Sequence, residues 1–457
     1  MPAIKLCIIG GGSHYTHHML ATFAHHVKTG DLAGSTIGLY DIHHDNARLM
    51  ADFGNAVARA KRLDFKVEFQ DRLEKALEGA DFVFSSIRVG GFDQLEVDEE
   101  IPLKCGLFGQ ETTGVSGVFF MCRQAPVITQ HARTIEAVCP QAIVINYSNP
   151  SGMVTDLTRR VTKLNCLGLC DGVYGAKWLV CILLGLPMSE ANNVHVHVAG
   201  VNHCTWALAI RYKGEDLYPR IGELFEKLDW KDEKKTWGWN KDLEQWYRLY
   251  RYYGILPGST FYARYHYYAR SFAQEMLEGY RLSRGLRENS ARLWPYIKSQ
   301  IGKPDADFMD AGGESAHGDQ AMGALWKMAC DTGELETVNV RNDGAVANLP
   351  DDAIVEVPAI MTRQGAFPLR VGPLPEPVVS KVHATATHYR LAVDAAMSGD
   401  RNLVMQAAMA FPSNTDIDLM EKIVAELFEK HKSWLPQFNV QGSYASRRRK
   451  SFRMDSS

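Results

Sequence analysis

Long apolar runs are missing from this chain. The most hydrophobic stretch, residues 178–187 (WLVCILLGLP), is about half of the roughly 20 residues needed to cross a bilayer, so no membrane-spanning helix is expected. The opening apolar run, 4–9 (IKLCII), is too short for a secretory segment and leads straight into glycines, so a soluble cytoplasmic protein is expected. Strong charge of either sign is also lacking. A net charge of −3 over 457 residues provides no global field to gather nucleic acid, and no nucleic-acid partner is expected. The basic run Arg447-Arg448-Arg449-Lys450 reads as a solvated tail. A disulfide framework is absent too: the nine cysteines are odd in number, scattered and mostly set in apolar runs, as expected for free thiols in a reducing compartment. Internal repeats and low-complexity segments are not found.

What is present is an apolar content of 46%, enough to build a substantial core in one large or two medium domains. Residues 4–9 read as a buried strand, Gly10-Gly11-Gly12 as a turn, 15–28 as a helix and 36–40 as a second strand ending at Asp41. This order matches the start of a dinucleotide-binding βαβ unit. Glycines in the turn would let the backbone approach a pyrophosphate at the positive end of the helix, with Ser13 and Tyr15 beside it. The third glycine of the usual fingerprint is replaced. A carboxylate at Asp41 can accept hydrogen bonds from both ribose hydroxyls and repel a 2′-phosphate, so NAD is expected over NADP.

Further strands are expected at 65–69, 81–87 and 142–146, with helices at 44–62 and 124–138. They give an α/β fold with a Rossmann-like, mostly parallel sheet. Beyond this the pattern changes. Paired strands at 193–200 and 205–211 precede helical stretches at 218–228, 240–252 and 261–280; a strand pair at 336–340 and 353–360 precedes helices at 379–398 and 415–431. Two domains are expected: a NAD-binding domain over 1–195 and a mixed α+β domain over 196–457 for substrate, metal and oligomerisation, in a lactate/malate dehydrogenase-like arrangement.

A set of motifs falls in order along nearly the whole chain. They are Ile87-Arg88-Val89-Gly90-Gly91, residues 98–104 (DEEIPLK), residues 109–114 (GQETTG), Asn146-Tyr147-Ser148-Asn149-Pro150, Gly168-Leu169-Cys170, Gly200-Val201-Asn202-His203, Asn348-Leu349-Pro350 and Val355-Glu356-Val357-Pro358. With the opening Gly-Gly-Gly-Ser-x-Tyr-Thr, the chain resembles the NAD- and manganese-dependent family 4 glycoside hydrolases, an exception to the two-carboxylate glycosidase scheme. That resemblance implies oxidation of the sugar at C3, removal of the acidified C2 proton, elimination of the C1 leaving group, addition of water and return of the hydride. It also implies Cys170 and His203 as ligands of Mn²⁺, with Fe²⁺, Co²⁺ or Ni²⁺ as substitutes, acting as a Lewis acid at O2 and O3. Taken alone, these two residues would be a buried thiol and a loop histidine. His195 and His197, alternating on a strand, are lower-ranked alternative ligands.

The resemblance assigns the C2 base to a tyrosine-rich segment, 259–268, with Tyr262 favoured and Tyr265 second. A phenol with a pKa near 10 needs a neighbouring cation, Arg264 or the metal, to serve as a base. Asp171, next to the cysteine, is implied as general acid and as a marker of α-glycoside cleavage; otherwise it is a cap of the following helix. Arg88 and Asn149 are implied cofactor contacts, and Asn149, Asn202 and Arg264 implied substrate contacts. The chain departs from relatives acting on sugar 6-phosphates, which carry an arginine after the Val-Gly-Gly motif. Here the stretch reads Phe92-Asp93-Gln94-Leu95-Glu96, and acidic groups do not suit a phosphate dianion. Arg88, Arg264 and Arg284 remain possible sources of charge. The expected activity is cleavage of an α-glycoside without phosphate. A 6-phospho-α- or β-glucosidase is the alternative within the family, and a hydroxyacid dehydrogenase or a non-catalytic nucleotide sensor the alternative outside it. A homodimer or homotetramer is expected.

Overall fold

A computed structural model describes residues 3–309, 316–414 and 416–439; the basic run 447–450 lies outside the described residues. Thirteen strands are assigned among them: β1 (Lys5–Ile9), β2 (Ser35–Tyr40), β3 (Phe65–Phe69), β4 (Phe82–Ser85), β5 (Ile143–Asn146), β6 (Asn165–Gly168), β7 (Val194–Val201), β8 (Cys204–Tyr212), β9 (Glu215–Asp216), β10 (Leu256–Pro257), β11 (Leu335–Arg341), β12 (Ile354–Thr362) and β13 (Gly365–Pro368). Nine of them form one sheet in the order β13-β12-β11-β6-β5-β4-β1-β2-β3. β1 to β6 pair in parallel in the Rossmann order 3-2-1-4-5-6. β4 and β5 are buried at every position, as strands covered by helices on both faces must be, and their apolar runs follow from that.

The strand pair expected in the second domain instead extends this first sheet. β11 pairs antiparallel with β6 at Asn339 and Gly168, and β12 and β13 continue outward from it. Val355 and Val357 of β12 therefore share one core with Ile8 of β1 and Phe119. A separate antiparallel sheet of β10, β8 and β7, with β9 on β8, packs around Trp206 and Trp246.

Several helices differ from the sequence expectation. The helix Gly114–Val138 begins ten residues earlier than expected because its first twelve positions are all buried, which leaves no amphipathic period to read. The stretch 261–280 divides into Thr260–His266 and Ala269–Leu277. The final expected helix runs Ile417–Lys430, with residue 415 outside the described residues. A buried ion pair ties these helices to the loop after β4: Arg123 donates to Asp98 at 2.6 Å and to the Val89 carbonyl at 2.9 Å. His431 lies 2.7 Å from the same Asp98 carboxylate. Among the described residues, no helix is long and apolar enough to cross a membrane.

Candidate active site

A cavity of about 1590 Å³ opens at the carboxyl ends of β1, β2, β4 and β5, where strand order reverses between β1 and β4. Ligands of open α/β sheets bind at such a point. At one end stands the glycine turn. Gly10 has φ of 92°, and a β-carbon on it would lie 2.1 Å from the Ser86 carbonyl oxygen; one on Gly12 would lie 3.0 Å from Asn46. The backbone here admits no side chain, as a cradle for a closely bound ligand requires. The N–H groups themselves point inward. Gly10 and Gly11 donate to the Tyr40 carbonyl at 2.9 Å each, and Gly12 donates to Asp41 Oδ2 at 2.9 Å. The turn thus supplies room, while the anion-attracting pole is the start of the helix His14–Lys28, where Ser13 accepts from the Tyr15 N–H. Asp41 also accepts from the His43 N–H at 2.8 Å and still faces the cavity.

At the other end, two side chains meet that are 33 residues apart. Cys170 Sγ lies 3.4 Å from His203 Nε2, and both line the cavity. Cys170 follows β6 of the nine-stranded sheet. His203 occupies the two-residue turn between β7 and β8, with a left-handed φ of 59° that costs a non-glycine residue about 1–3 kcal/mol and is held only by its surroundings. Burial lowers the His203 pKa to about 4, keeping the ring in the neutral form that ligates metals. Burial, with Asp171 and Glu356 nearby, raises that of the Cys170 thiol. One thiol and one imidazole suit a transition-metal ion. Among the described residues no group of three His, Cys, Asp or Glu side chains gathers in ligating geometry, so the remaining coordination positions would be open to substrate or water. His195 and His197 do not line the cavity.

Asp171 precedes the helix Gly172–Leu184, yet its side chain makes no capping bond. The carboxylate instead lines the cavity, with Oδ1 3.8 Å from Cys170 Sγ. The two tyrosines separate clearly. Tyr265 lines the cavity, its ring stacked on His203 at 5.9 Å and on Phe108 at 5.3 Å. Tyr262, favoured from the sequence, is 0% exposed, packs edge-on against Trp206 at 5.0 Å and does not line the cavity. Its apolar helix face won over its place in the motif. The phenol of Tyr265 is pushed up by burial and by Tyr280, while Arg264 pulls it down.

Arg264 does not reach the cavity either. Its guanidinium is engaged by both oxygens of Asp242, at 2.9 Å each. Asn202 sits behind the cavity wall, donating to Glu356 at 2.9 Å. Arg88 and Asn149 do line the cavity and converge on Glu111: Arg88 pairs with Oε2, and Asn149 donates to Oε1 at 2.5 Å. Glu111 was visible only as part of the GQETTG run; its role as the shared acceptor needed three dimensions. Glu99 was missed in the same way. It lines the cavity and accepts from the Leu282 N–H at 2.7 Å and from Ser283, closing the N-terminus of the helix Leu282–Gln300. Arg287 on that helix, also at the cavity, donates to Asp93 and Glu96 at 2.8 Å each.

A glycine turn and a thiol–imidazole pair that line one cavity at the carboxyl end of a Rossmann-like sheet make up a candidate active site. Residues 5–186 match the family 4 glycosyl hydrolases and residues 198–413 match the family 4 glycosyl hydrolase C-terminal domain, so the chain belongs to this family of glycosidases. It is 29% identical over 446 residues to a probable 6-phospho-beta-glucosidase of Bacillus subtilis (strain 168), covering 95% of this chain and 98% of that protein. It is also 29% identical over 448 residues to an alpha-galactosidase of the same organism, covering 95% and 99%. Among solved structures, a 6-phospho-alpha-glucosidase from gut microorganisms, in complex with NAD and Mn²⁺, superposes with a TM-score of 0.82 at 24% identity, covering 95% of this chain and 100% of that one. The fold extends to a lactate dehydrogenase from a deep-sea metagenome, with a TM-score of 0.54 at 13% identity over 87% of this chain and 100% of that one.

Proposed function

We propose that this glycosidase works by transient oxidation of its sugar, with NAD along the cleft and a divalent cation, Mn²⁺ or a similar ion, between Cys170 and His203. The observation that carries the reading is the 3.4 Å approach of that thiol and imidazole in the same cavity as the glycine turn and Asp41. When bound, the dinucleotide supplies a reversible hydride acceptor for C3 and the cation a Lewis acid for the O2 and O3 oxygens. The chain's own groups do the rest. Asp41 holds the ribose hydroxyls with its remaining lone pairs, and the start of the helix His14–Lys28 favours the pyrophosphate. Arg88 and Asn149, fixed by Glu111, orient the ring of the sugar and the nicotinamide end. Tyr265 takes the C2 proton; its exposure to the cavity and its stacking on His203 support it over Tyr262. Asp171 holds the proton for the departing glycosidic oxygen.

The substrate is an α-glycoside with a neutral C6 group. Asp171 after the cysteine supports the anomer, through the association that the family resemblance carries. The missing phosphate is supported by charge. Asp93 and Glu96 already neutralise Arg287, and the Glu99 carboxylate fills the helix N-terminus that an anion would otherwise use. A 6-phosphate substrate is the second reading, favoured by Arg281, which also lines the cavity. A panel of aryl α- and β-glycosides, each with and without a 6-phosphate, assayed with NAD⁺, Mn²⁺ and a thiol, decides between them. The expected result is turnover of a neutral α-glycoside without net NADH; turnover of phosphorylated sugars alone overturns the substrate assignment. Substrate deuterated at C2 should lose label to solvent or react slowly. Full retention of the label at an unchanged rate rules out the elimination route.

A further inference from the structure

The two residues proposed to hold the cation come from two sheets that, among the described residues, no backbone ladder joins. Cys170 lies two positions past the end of β6 in the nine-stranded sheet, and His203 caps the β7–β8 turn of the other. Holding a sulfur and an imidazole at 3.4 Å therefore falls to side chains at the seam where β12 packs on β7. A bridge of such side chains exists behind the cavity wall. Glu356 of β12, 2% exposed, has no ion-pair partner among the described residues; its Oε1 accepts from Asn202 Nδ2 at 2.9 Å and from Asn339 Nδ2 at 3.1 Å. Asn202 is the neighbour of His203. Asn339 is the β11 partner of Gly168, and a β-carbon on that glycine would lie 3.0 Å from Asn339 Cβ, so the Asn339 side chain leaves the backbone beside the strand end that leads into Cys170. A second tether holds the turn from its other side: the Tyr389 hydroxyl donates to the Asn202 carbonyl at 2.7 Å.

We infer that Glu356 is a positioning residue for the cation site: one carboxylate oxygen, shared between the Asn202 and Asn339 amides, fixes the His203 turn against the Cys170 strand end. The left-handed backbone at His203 makes the bridge necessary, because a residue in that region relaxes elsewhere unless its surroundings over-determine it. Groups that orient ligands in this way typically affect metal affinity as strongly as some ligands do. The inference rests on the reading of Cys170 and His203 as ligands, and its test separates the two.

Co²⁺ is titrated into the full-length protein, and binding is followed by the thiolate-to-cobalt absorption band that Cys170 would produce. Glu356→Leu should weaken Co²⁺ binding about tenfold to a hundredfold and shift or abolish the band, with NAD affinity unchanged. Glu356→Gln, which keeps an oxygen for both amides, should restore most of the affinity. Wild-type Co²⁺ affinity and band in Glu356→Leu overturn the proposal, as does parallel loss of Co²⁺ and NAD binding, which would mark a general folding role. If the leucine variant does not fold, Glu356→Asp decides: it keeps the charge but withdraws the oxygen by one methylene, and unchanged Co²⁺ affinity overturns the bridge. Cys170→Ser serves the underlying reading. Retention of the band in that variant refutes the ligand pair itself, whatever Glu356 does.

Discussion

Single side chains divide into those whose place could be read from a motif and those whose place depends on packing. Cys170, His203, Asp171 and Asp41 all face the cavity, and each sits at a motif end or a strand end where few backbone arrangements are possible. The tyrosine segment is different. Four phenols within seven residues of an amphipathic stretch look alike until the helix Thr260–His266 turns Tyr262 into the core and Tyr265 to the cavity. Arg264, expected as a substrate contact, lies off the cavity for a similar reason: a distant acid, Asp242, pairs with it. The tyrosines give a direct comparison. Tyr265→Phe keeps the ring stacked on His203 but removes the proton acceptor, and turnover and C2 exchange should fall by about 10²–10⁴-fold. Tyr262→Phe should leave both close to wild type, since its hydroxyl lies among Tyr267, Trp206 and Cys204, away from the cavity. Equal losses in the two variants would remove Tyr265 from the base role.

Elements were legible where one face meets water and obscure where none does. The helices at His14–Lys28 and His44–Lys61 carry a polar side and were found within a residue of their ends. Gly172–Leu184 and the first twelve residues of Gly114–Val138 are largely or wholly buried and read mainly as apolar runs, which do not distinguish helix from strand. The helix Leu282–Gln300 was missed for another reason: its start is closed by a carboxylate 183 residues away, Glu99, through the Leu282 N–H, so no local capping residue announces it. Glu99→Ala would strip two orphan donors of their acceptor in a buried setting, at a cost of about 2 kcal/mol. Chemical denaturation measures this directly. The loss should be accompanied by faster proteolysis within 279–300; a midpoint equal to wild type would show that solvent caps the helix as well as Glu99 does.

For the whole molecule, the parallel half of the sheet was readable and its antiparallel extension was not. Strand pairing between β6 and β11 joins residues 171 positions apart, Gly168 and Asn339, and nothing in either strand names its partner. Acid sensitivity is likewise a property of the assembled core. His17 is held neutral by burial, with a pKa lowered to about 3, and His388 with one lowered to about 4. In the unfolded chain both bind a proton near pH 6.5, so the unfolded state gains protons first as pH falls. Stability should therefore be full above pH 6.5 and decline below it, by about 1.4 kcal/mol per pH unit for each histidine, until roughly pH 4 for His388 and roughly pH 3 for His17. Melting temperatures from pH 7 to pH 4.5 test this, and His388→Asn should flatten the slope if the variant folds; a slope unchanged in that variant would assign the effect to other groups. The shared sheet has a consequence for how the protein is made. As the chain leaves the ribosome, β6 emerges with one edge bare, and its covering strand β11 follows only after the whole of β7 to β10 has been synthesised. During that interval the nascent parallel half of the sheet presents an unpaired apolar edge, the kind of surface that recruits stray strands. Premature termination between β6 and residue 335 leaves that edge open for good, so fragments ending there are expected to aggregate rather than persist as a free-standing parallel-sheet unit.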